Sequence, residues 1–376
     1  MEIYLDNAAT TRVCPEAAEA AANAMLNAYG NPSSTHGKGR EAKKLLDTAR
    51  KNVASALGCA PGELVFTSCG SESDNWALLS GAWAASARGG HVISSAVEHD
   101  AVLKTLDELE RRGYEVTRLA PGADGAISVD AVRSALRPDT VFVSLMMVNN
   151  ETGAVTDVAA VARMLKKCAP RALLHTDAVQ GFLKVPFSAK TLGADLISVS
   201  GHKIHAPKGV GALYIRQGLH LRPFIVGGAQ EDGRRAGTEA VPQICAFGEA
   251  ARVGAAQAAE ARSRMSALRE HAIGRLSAAI PGFTVIGGGA AHILSLSLPG
   301  YRSEVLMSWL DGQGICVSRS SACKRGARSH VLGSMGVEPR VIDGAIRVGL
   351  SRYTTAEEID AFCDALIAAA GQLAHS

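Results

Sequence analysis

One figure recurs through the first part of this 376-residue chain: a short apolar run, a polar or small-residue turn, then a helical stretch. Runs at 64–67, 92–95, 116–119, 141–148, 173–176 and 196–199 have the length and β-branched content of buried strands, and 211–215 follows. Helical patterns lie between them, at about 74–87, up to Arg112 and up to Cys168. Strands alternating with helices predict an α/β fold with a mainly parallel sheet covered on both faces. The carboxyl ends of such strands share one edge, where ligands bind. The polar residues ending these runs are therefore expected together: Ser71, His99, Asn150, Asp177 with Gln180, and His202 with Lys203.

Taken singly, each of these reads equally well as a cap, a satisfied turn residue or a solvated lysine. Their convergence predicts a site with a cation, an anion, an imidazole and a phosphate cradle. The cradle is the turn at Gly70 and Ser71, where a helix begins and backbone N–H groups are free to meet an anion. Lys203 comes just past strand 196–199, after Ser200 and Gly201. A lysine held there, partly desolvated, is pushed toward the neutral amine that attacks carbonyls.

Beyond residue 240 the pattern changes. Residues 244–280 read as one or two long alanine-rich helices, ended by Pro281 and Gly282. Leu294, Leu296 and Leu298 then alternate with Ser295 and Ser297, which predicts a sheet with one buried side. In 345–350, Ile346, Val348 and Leu350 share one face, so Arg347 points to the other. Thr355 and Glu358 form a capping box for the last helix. This predicts a large domain over 12–255 and a smaller α+β domain built from 1–11 and 256–376. The segment 227–238, GGAQEDGRRAGT, is long for a connector and is expected to be functional.

Composition narrows the function classes. The net charge of +3 is scattered, so neither direct nucleic-acid binding nor a polybasic membrane anchor is expected. The start MEIYLDNAATT lacks the apolar core of a signal peptide, and no apolar run reaches membrane-spanning length. Eight cysteines without a CxxC pair predict reduced thiols in a cytoplasmic enzyme, with no metal site and no disulfide framework. The P-loop pattern and the GxGxxG spacing are both absent, which argues against a nucleotide binder.

Many motifs then fall in one order: YLDNAATT (4–11), NPSSTHGKGREA (31–42), FTSCGSESDN (66–75), EHDAV (98–102), VNNETG (148–153), HTDAVQ (175–180), SGHKIHAPKGVGALY (200–214), RRAGTEAVP (234–242), SSAC (320–323), SHVLGSMG (329–336) and RVGLSRYTTAEEID (347–360). Over nearly its whole length the chain resembles the cysteine desulfurases, in the class V branch of fold-type I pyridoxal-phosphate enzymes. The resemblance implies that pyridoxal 5'-phosphate is carried on Lys203 and that Asp177 pairs with its pyridinium nitrogen. It implies that Gln180 and Asn150 bond the phenolic oxygen and that His99 stacks on the ring and moves protons. Gly70, Ser71, Ser200 and His202 would hold the phosphate. Thr238 would reach the site from a neighbouring subunit, which implies a homodimer. Arg347 would clamp the substrate carboxylate, with Asn31, Asn7 and Ala8 on the substrate side.

By the same resemblance Cys323 is the nucleophile. As a thiolate it takes sulfur from L-cysteine, leaving alanine and a persulfide for a sulfur acceptor, an iron–sulfur scaffold or a tRNA-thiolation enzyme. Lys324, Arg325 and Arg328 stand near enough in sequence to lower its pKa. Cys316 lies in an apolar run and is expected in the core, and Cys69 stands where many relatives carry glycine. The segment KRGAR before SHVL is shorter and more basic than in relatives that serve the standard scaffold, which implies a different or narrower set of acceptors. Selenocysteine lyases and other class V aminotransferases share the cofactor site and remain the alternatives. A non-catalytic cofactor-binding scaffold is the non-enzyme alternative. Against it, Lys203, Asp177, His99, Arg347 and Cys323 are all present.

Overall fold

The computed structural model describes residues 2–319 and 328–373. β1 (Ile3–Tyr4) lies apart from the main sheet. That sheet contains β2 (Leu64–Thr67), β3 (Gly90–Ser95), β4 (Tyr114–Leu119), β5 (Thr140–Ser144), β6 (Leu173–Asp177), β7 (Leu196–Ser200) and β8 (Gly211–Ile215). Their spatial order is β2-β8-β7-β6-β5-β3-β4. β3 to β7 pair in parallel, whereas β8 is antiparallel to both β7 and β2. The reversal follows from chain length. The short 201–210 connection holds no crossover helix, and a parallel return needs a dozen or more residues. Because β8 reverses twice over, β2 recovers the direction of β7, and the carboxyl ends of all the other strands share an edge.

Consecutive residues of these strands serve opposite faces. Ile197 and Val199 pack into a core with Val53, Leu57 and Phe247. Leu196 and Phe142 pack on the other side with Trp76, Leu78 and Leu106. The apolar run is buried from Phe142 to Val148, but the β5 strand ends at Ser144. Beyond it, the Leu145 and Met147 N–H groups still donate to the carbonyls of His175 and Asp177. The helix expected from residue 74 begins at Gly70. Its first turn, Gly-Ser-Glu-Ser, carries no apolar periodicity and so hides the start from pattern reading.

A single 39-residue helix, Val241–Ala279, follows the main sheet. The remaining strands are β9 (Thr284–Val285), β10 (Ile293–Ser297), β11 (Ile315–Cys316), β12 (Ser318–Arg319) and β13 (Ala345–Gly349). β12-β13-β10-β9 form an antiparallel sheet, and β11 pairs in parallel with β1. Their core joins Leu294, Leu296, Ile346 and Val348 to Met265, Leu268, Phe362 and Leu366. One expectation needs correction. The second face of this sheet is not solvated, since every residue of β10 and β13 is buried. Ser295, Ser318 and Arg347 lie opposite one another across the ladder, and that polar face turns inward. Cys316 also differs from the core position expected of it, being only half-buried.

The glycine-rich segment 227–238 is pinned to the main sheet. Glu231 makes a two-pronged ion pair with Arg50, at 2.6 and 2.8 Å, and accepts the Phe66 N–H at 3.0 Å. No described helix is long and apolar enough to cross a membrane.

Candidate active site

A cleft of about 540 Å³ opens at the carboxyl edge of the main sheet. Gly70, Ser71, His99, Asn150, Asp177, Gln180, Ser200, His202, Lys203 and Arg347 all line it, as does Ala8. The topology thus brings together the residues that end separate apolar runs.

One end is built for an anion. Cys69 caps the helix Gly70–Ala85 in extended backbone, and the first helical turn faces the cleft. A side chain at Gly70 would begin 2.8 Å from Val179 Cγ2, so glycine lets this turn pack closely on the segment that follows β6. Ser200 Oγ is buried beside it without a hydrogen-bond partner. His202 Nδ1 lies 3.2 Å from Thr10 Oγ1, and burial pulls its pKa down to about 4, so the ring is neutral.

The middle of the cleft holds the titratable groups. Asp177 Oδ1 accepts the Val179 N–H at 2.8 Å. Burial pushes its pKa up, which makes the carboxylate a strong acceptor for a cationic ligand. His99 caps the helix Asp100–Arg111, with Nδ1 accepting the Ala101 N–H at 3.1 Å. That bond occupies Nδ1 and leaves Nε2 as the ring nitrogen available to the cleft. Lys203 Nζ donates to the carbonyls of Ala8 and Ala9 at 2.7 and 2.6 Å. Burial, then the charge of Arg347, lowers its pKa to about 8. Gln180 Nε2 donates to the same Ala8 carbonyl at 2.8 Å.

Arg347 closes the far side. Its Nη1 donates to the Asn150 carbonyl at 2.8 Å, and its Nη2 to Asp6 Oδ1 at 3.0 Å and Ser318 Oγ at 2.9 Å. Its Nε is buried without a partner.

Several expected residues lie elsewhere. Asn31 is exposed outside the cleft, its Oδ1 accepting the Ser33 N–H. The Asn7 amide is turned away to the carbonyls of Tyr4 and Gly349, so it holds the backbone of Ala8 rather than lining the cleft. Thr238 is exposed and lines a separate hollow with Phe66, Glu231 and Arg235. Cys323, with Lys324 and Arg325, lies outside the described residues. Arg328 lines the cleft, where both arms of its guanidinium hold Asp343 at 2.8 and 2.7 Å.

Residue patterns missed three groups. Glu98 Oε1 accepts Ser95 Oγ at 2.6 Å and the Met146 N–H at 3.0 Å, while Oε2 has no partner. Burial raises its pKa to about 8, so it is a carboxylic acid at neutral pH. Its signal was the motif EHDAV. His330, from SHVLGSMG, reaches the Glu98 carbonyl at 3.4 Å. Lys184 lies beside Gln180 and carried no local signal.

These residues fit pyridoxal phosphate. A helix start with a buried, unpartnered hydroxyl suits its phosphate, a depressed lysine its aldehyde, and a buried carboxylate its ring nitrogen.

Comparison with known proteins agrees. The family described as Aminotransferase class-V matches residues 3–362. A cysteine desulfurase of Trichormus azollae is 42% identical over 363 residues, covering 95% of this chain and 90% of that protein. The solved structure of a NifS-like protein superposes with a TM-score of 0.93 at 38% identity, covering 99% of this chain and 100% of that one. The structure of SspA in complex with cysteine superposes at 0.81 with 30% identity, covering 94% and 100%. Motif order, sheet topology and cleft therefore lead to one assignment: the chain belongs to the aminotransferase class-V family of pyridoxal-phosphate enzymes, on its cysteine-desulfurase branch.

Proposed function

We propose that this chain is a cysteine desulfurase that converts L-cysteine and the Cys323 thiol into L-alanine and a Cys323 persulfide. The carbon–sulfur bond of cysteine breaks, a sulfur–sulfur bond forms at Cys323, and no outside oxidant or reductant is needed. The observation that carries this reading is the placement of Lys203 and Arg347 in one cleft, a low-pKa amine facing the same space as a buried guanidinium. The relatives named cysteine desulfurase, and the neighbour solved with cysteine, support the substrate.

Bound in the cleft, pyridoxal phosphate withdraws electrons from the substrate α-carbon. Gly70, Ser71, Ser200 and His202 hold its phosphate, Asp177 its ring nitrogen, and Gln180 and Asn150 its phenolic oxygen. Lys203 carries the group and then takes the α-proton at Nζ; a pKa of about 8 leaves a usable fraction of free amine at neutral pH. His99, which lines the same cleft, would meet the bound group and would exchange a proton at Nε2. Arg347 binds the substrate carboxylate next to the Ala8 backbone, which Asn7 holds in place.

Thr238 and Asn31 act in the cleft of a second copy. Their exposure outside their own chain's cleft supports this. So do the exposed apolar side chains of Met25, Leu26 and Tyr29 and of Phe224 to Val226, which give a homodimer its contact surface. The chain divides into a lobe of 12–255 and a lobe of 1–11 with 256–376; most of the second lobe's apolar residues form a core of their own, while Ala8, Ala290, Ile293 and Val331 pack into that of the first. The persulfide passes to a protein acceptor of iron–sulfur assembly or tRNA thiolation. The enzyme works in the cytoplasm, in keeping with described cysteines that are all free thiols.

The test is to give purified protein, loaded with pyridoxal phosphate, L-cysteine beside a Cys323→Ala variant. Wild type forms alanine and a protein-bound persulfide. The variant keeps its visible absorption and forms neither. Bound cofactor without alanine from wild type would sink the reading.

A further inference from the structure

We infer that Lys184 is a positioning residue for the cofactor site: it fixes which end of the Gln180 amide faces the cleft. The inference rests on the proposed role of Gln180 at the phenolic oxygen.

The turn after β6 brings Lys184 back toward Gln180. Its backbone N–H donates to the Gly181 carbonyl at 3.0 Å. The preceding Leu183 sits at φ +62, a left-handed conformation that leucine adopts reluctantly and that reverses the chain here. Lys184 Nζ then donates to Gln180 Oε1 at 3.3 Å. His292 Nε2 lies 3.3 Å from the same oxygen. His292 is fully buried. Burial and the charges of Lys184, Arg347 and Lys203 push its pKa well below the usual value, so the ring is neutral. The amide oxygen can only accept, so His292 carries its proton at Nε2 and leaves Nδ1 bare.

Gln180 Oε1 is therefore held by Lys184 and His292. Its Nε2 is committed to the other side, where one N–H donates to the Ala8 carbonyl at 2.8 Å. Lys203 Nζ donates to that same carbonyl. An amide turned end for end would set its oxygen against the Ala8 carbonyl and its NH₂ against the Lys184 ammonium, which has no acceptor to offer. The remaining Nε2 hydrogen is thus kept for a ligand acceptor in the cleft. Burial, then Lys203 and Arg347, lowers the Lys184 pKa to about 7. As an ammonium its nitrogen can only donate and so enforces the orientation; as an amine it can also accept.

The experiment is a double-mutant cycle on holoenzyme: Lys184→Met, Gln180→Leu and both together. The readout is the pH midpoint of the visible absorption of bound pyridoxal phosphate, with thermal melting to confirm folding. Gln180→Leu should move the midpoint by about one pH unit, the scale of one lost hydrogen bond to a charge-bearing group. Lys184→Met should move it in the same direction, and the double variant no further than Gln180→Leu alone. Lys184→Arg, which keeps a cationic donor, should return the midpoint toward wild type. If Lys184→Met does not fold, Lys184→Gln enters the same cycle. A wild-type midpoint in Lys184→Met, with Gln180→Leu shifted, overturns the inference. So do shifts that add, because Lys184 then acts by its charge and not through Gln180. An unmoved midpoint in Gln180→Leu instead removes the role of Gln180 on which the inference stands.

Discussion

Asp6 and Arg347 meet at 3.0 Å across a sequence separation of 341 residues. The contact ties the segment after β1 to β13 at the wall of the cleft. It also commits one arm of Arg347, while Ser318 and the Asn150 carbonyl hold the rest and leave Nε free.

Arg347→Lys should keep the cofactor and lose the substrate. A lysine cannot reproduce the planar fork. Loss of a charged hydrogen bond of about 1.5–3 kcal/mol predicts a KM for L-cysteine raised about 10- to 100-fold. Steady-state kinetics beside a visible spectrum check it; an unchanged KM removes the carboxylate clamp from Arg347.

Glu98 gives a pH dependence of known sign. Its folded pKa of about 8 stands above its ordinary 4.5, so the folded protein holds a proton that the unfolded chain releases. Its contribution to stability is complete below pH 4.5 and is lost as pH rises through about 8. Glu98→Gln keeps the acceptor for Ser95 and Met146 and puts an NH₂ where the acid carries its proton. The melting temperature of the variant should gain on wild type steadily from pH 5 to pH 9. Parallel curves would show that Glu98 is ionised in the folded state.

How far these residues were readable depends on what decides them. Buried parallel strands are continuous apolar runs, so β3, β6 and β7 stand out locally, and their polar last residues mark the cleft. Arg347 was placed by alternation with Ile346 and Val348. The orientation of β8 depends on the length of the 201–210 connection, which apolar period does not register. The protonation of Glu98 and the lowered basicity of Lys184 arise with tertiary neighbours, Met146 for the first and Lys203 for the second. No window of neighbouring residues contains them. Thr238 and Asn31 were grouped with the cleft by resemblance, and a single chain leaves both outside it.

Glu231→Ala should destabilise the fold. It strands Arg50, whose side chain is only 15% exposed, and leaves the Phe66 N–H without its acceptor. Breaking such a pair costs about 3–5 kcal/mol, and Glu231→Gln, which keeps an acceptor, about 1–3 kcal/mol. Urea unfolding of the two variants ranks them; equal losses would mean that the charge contributes nothing.

Gly349→Ala should disturb the cleft from outside it. The new methyl would begin 2.5 Å from the Ala8 nitrogen and 2.9 Å from the Asn7 nitrogen, and backbone cannot step aside cheaply. Ala8 carries the carbonyl shared by Lys203 and Gln180. A stability loss of about 1–3 kcal/mol is expected, together with faster loss of pyridoxal phosphate on dialysis. Full retention at wild-type stability would show that the strand contact is slack.

The helix Val241–Ala279 contributes Ile244, Phe247 and Ala251 to one core and Met265, Leu268 and Leu276 to the other. No proline interrupts it after Pro242 near its start. The two cores are thus mounted on one unbroken shaft, and swinging them apart would bend or unwind it.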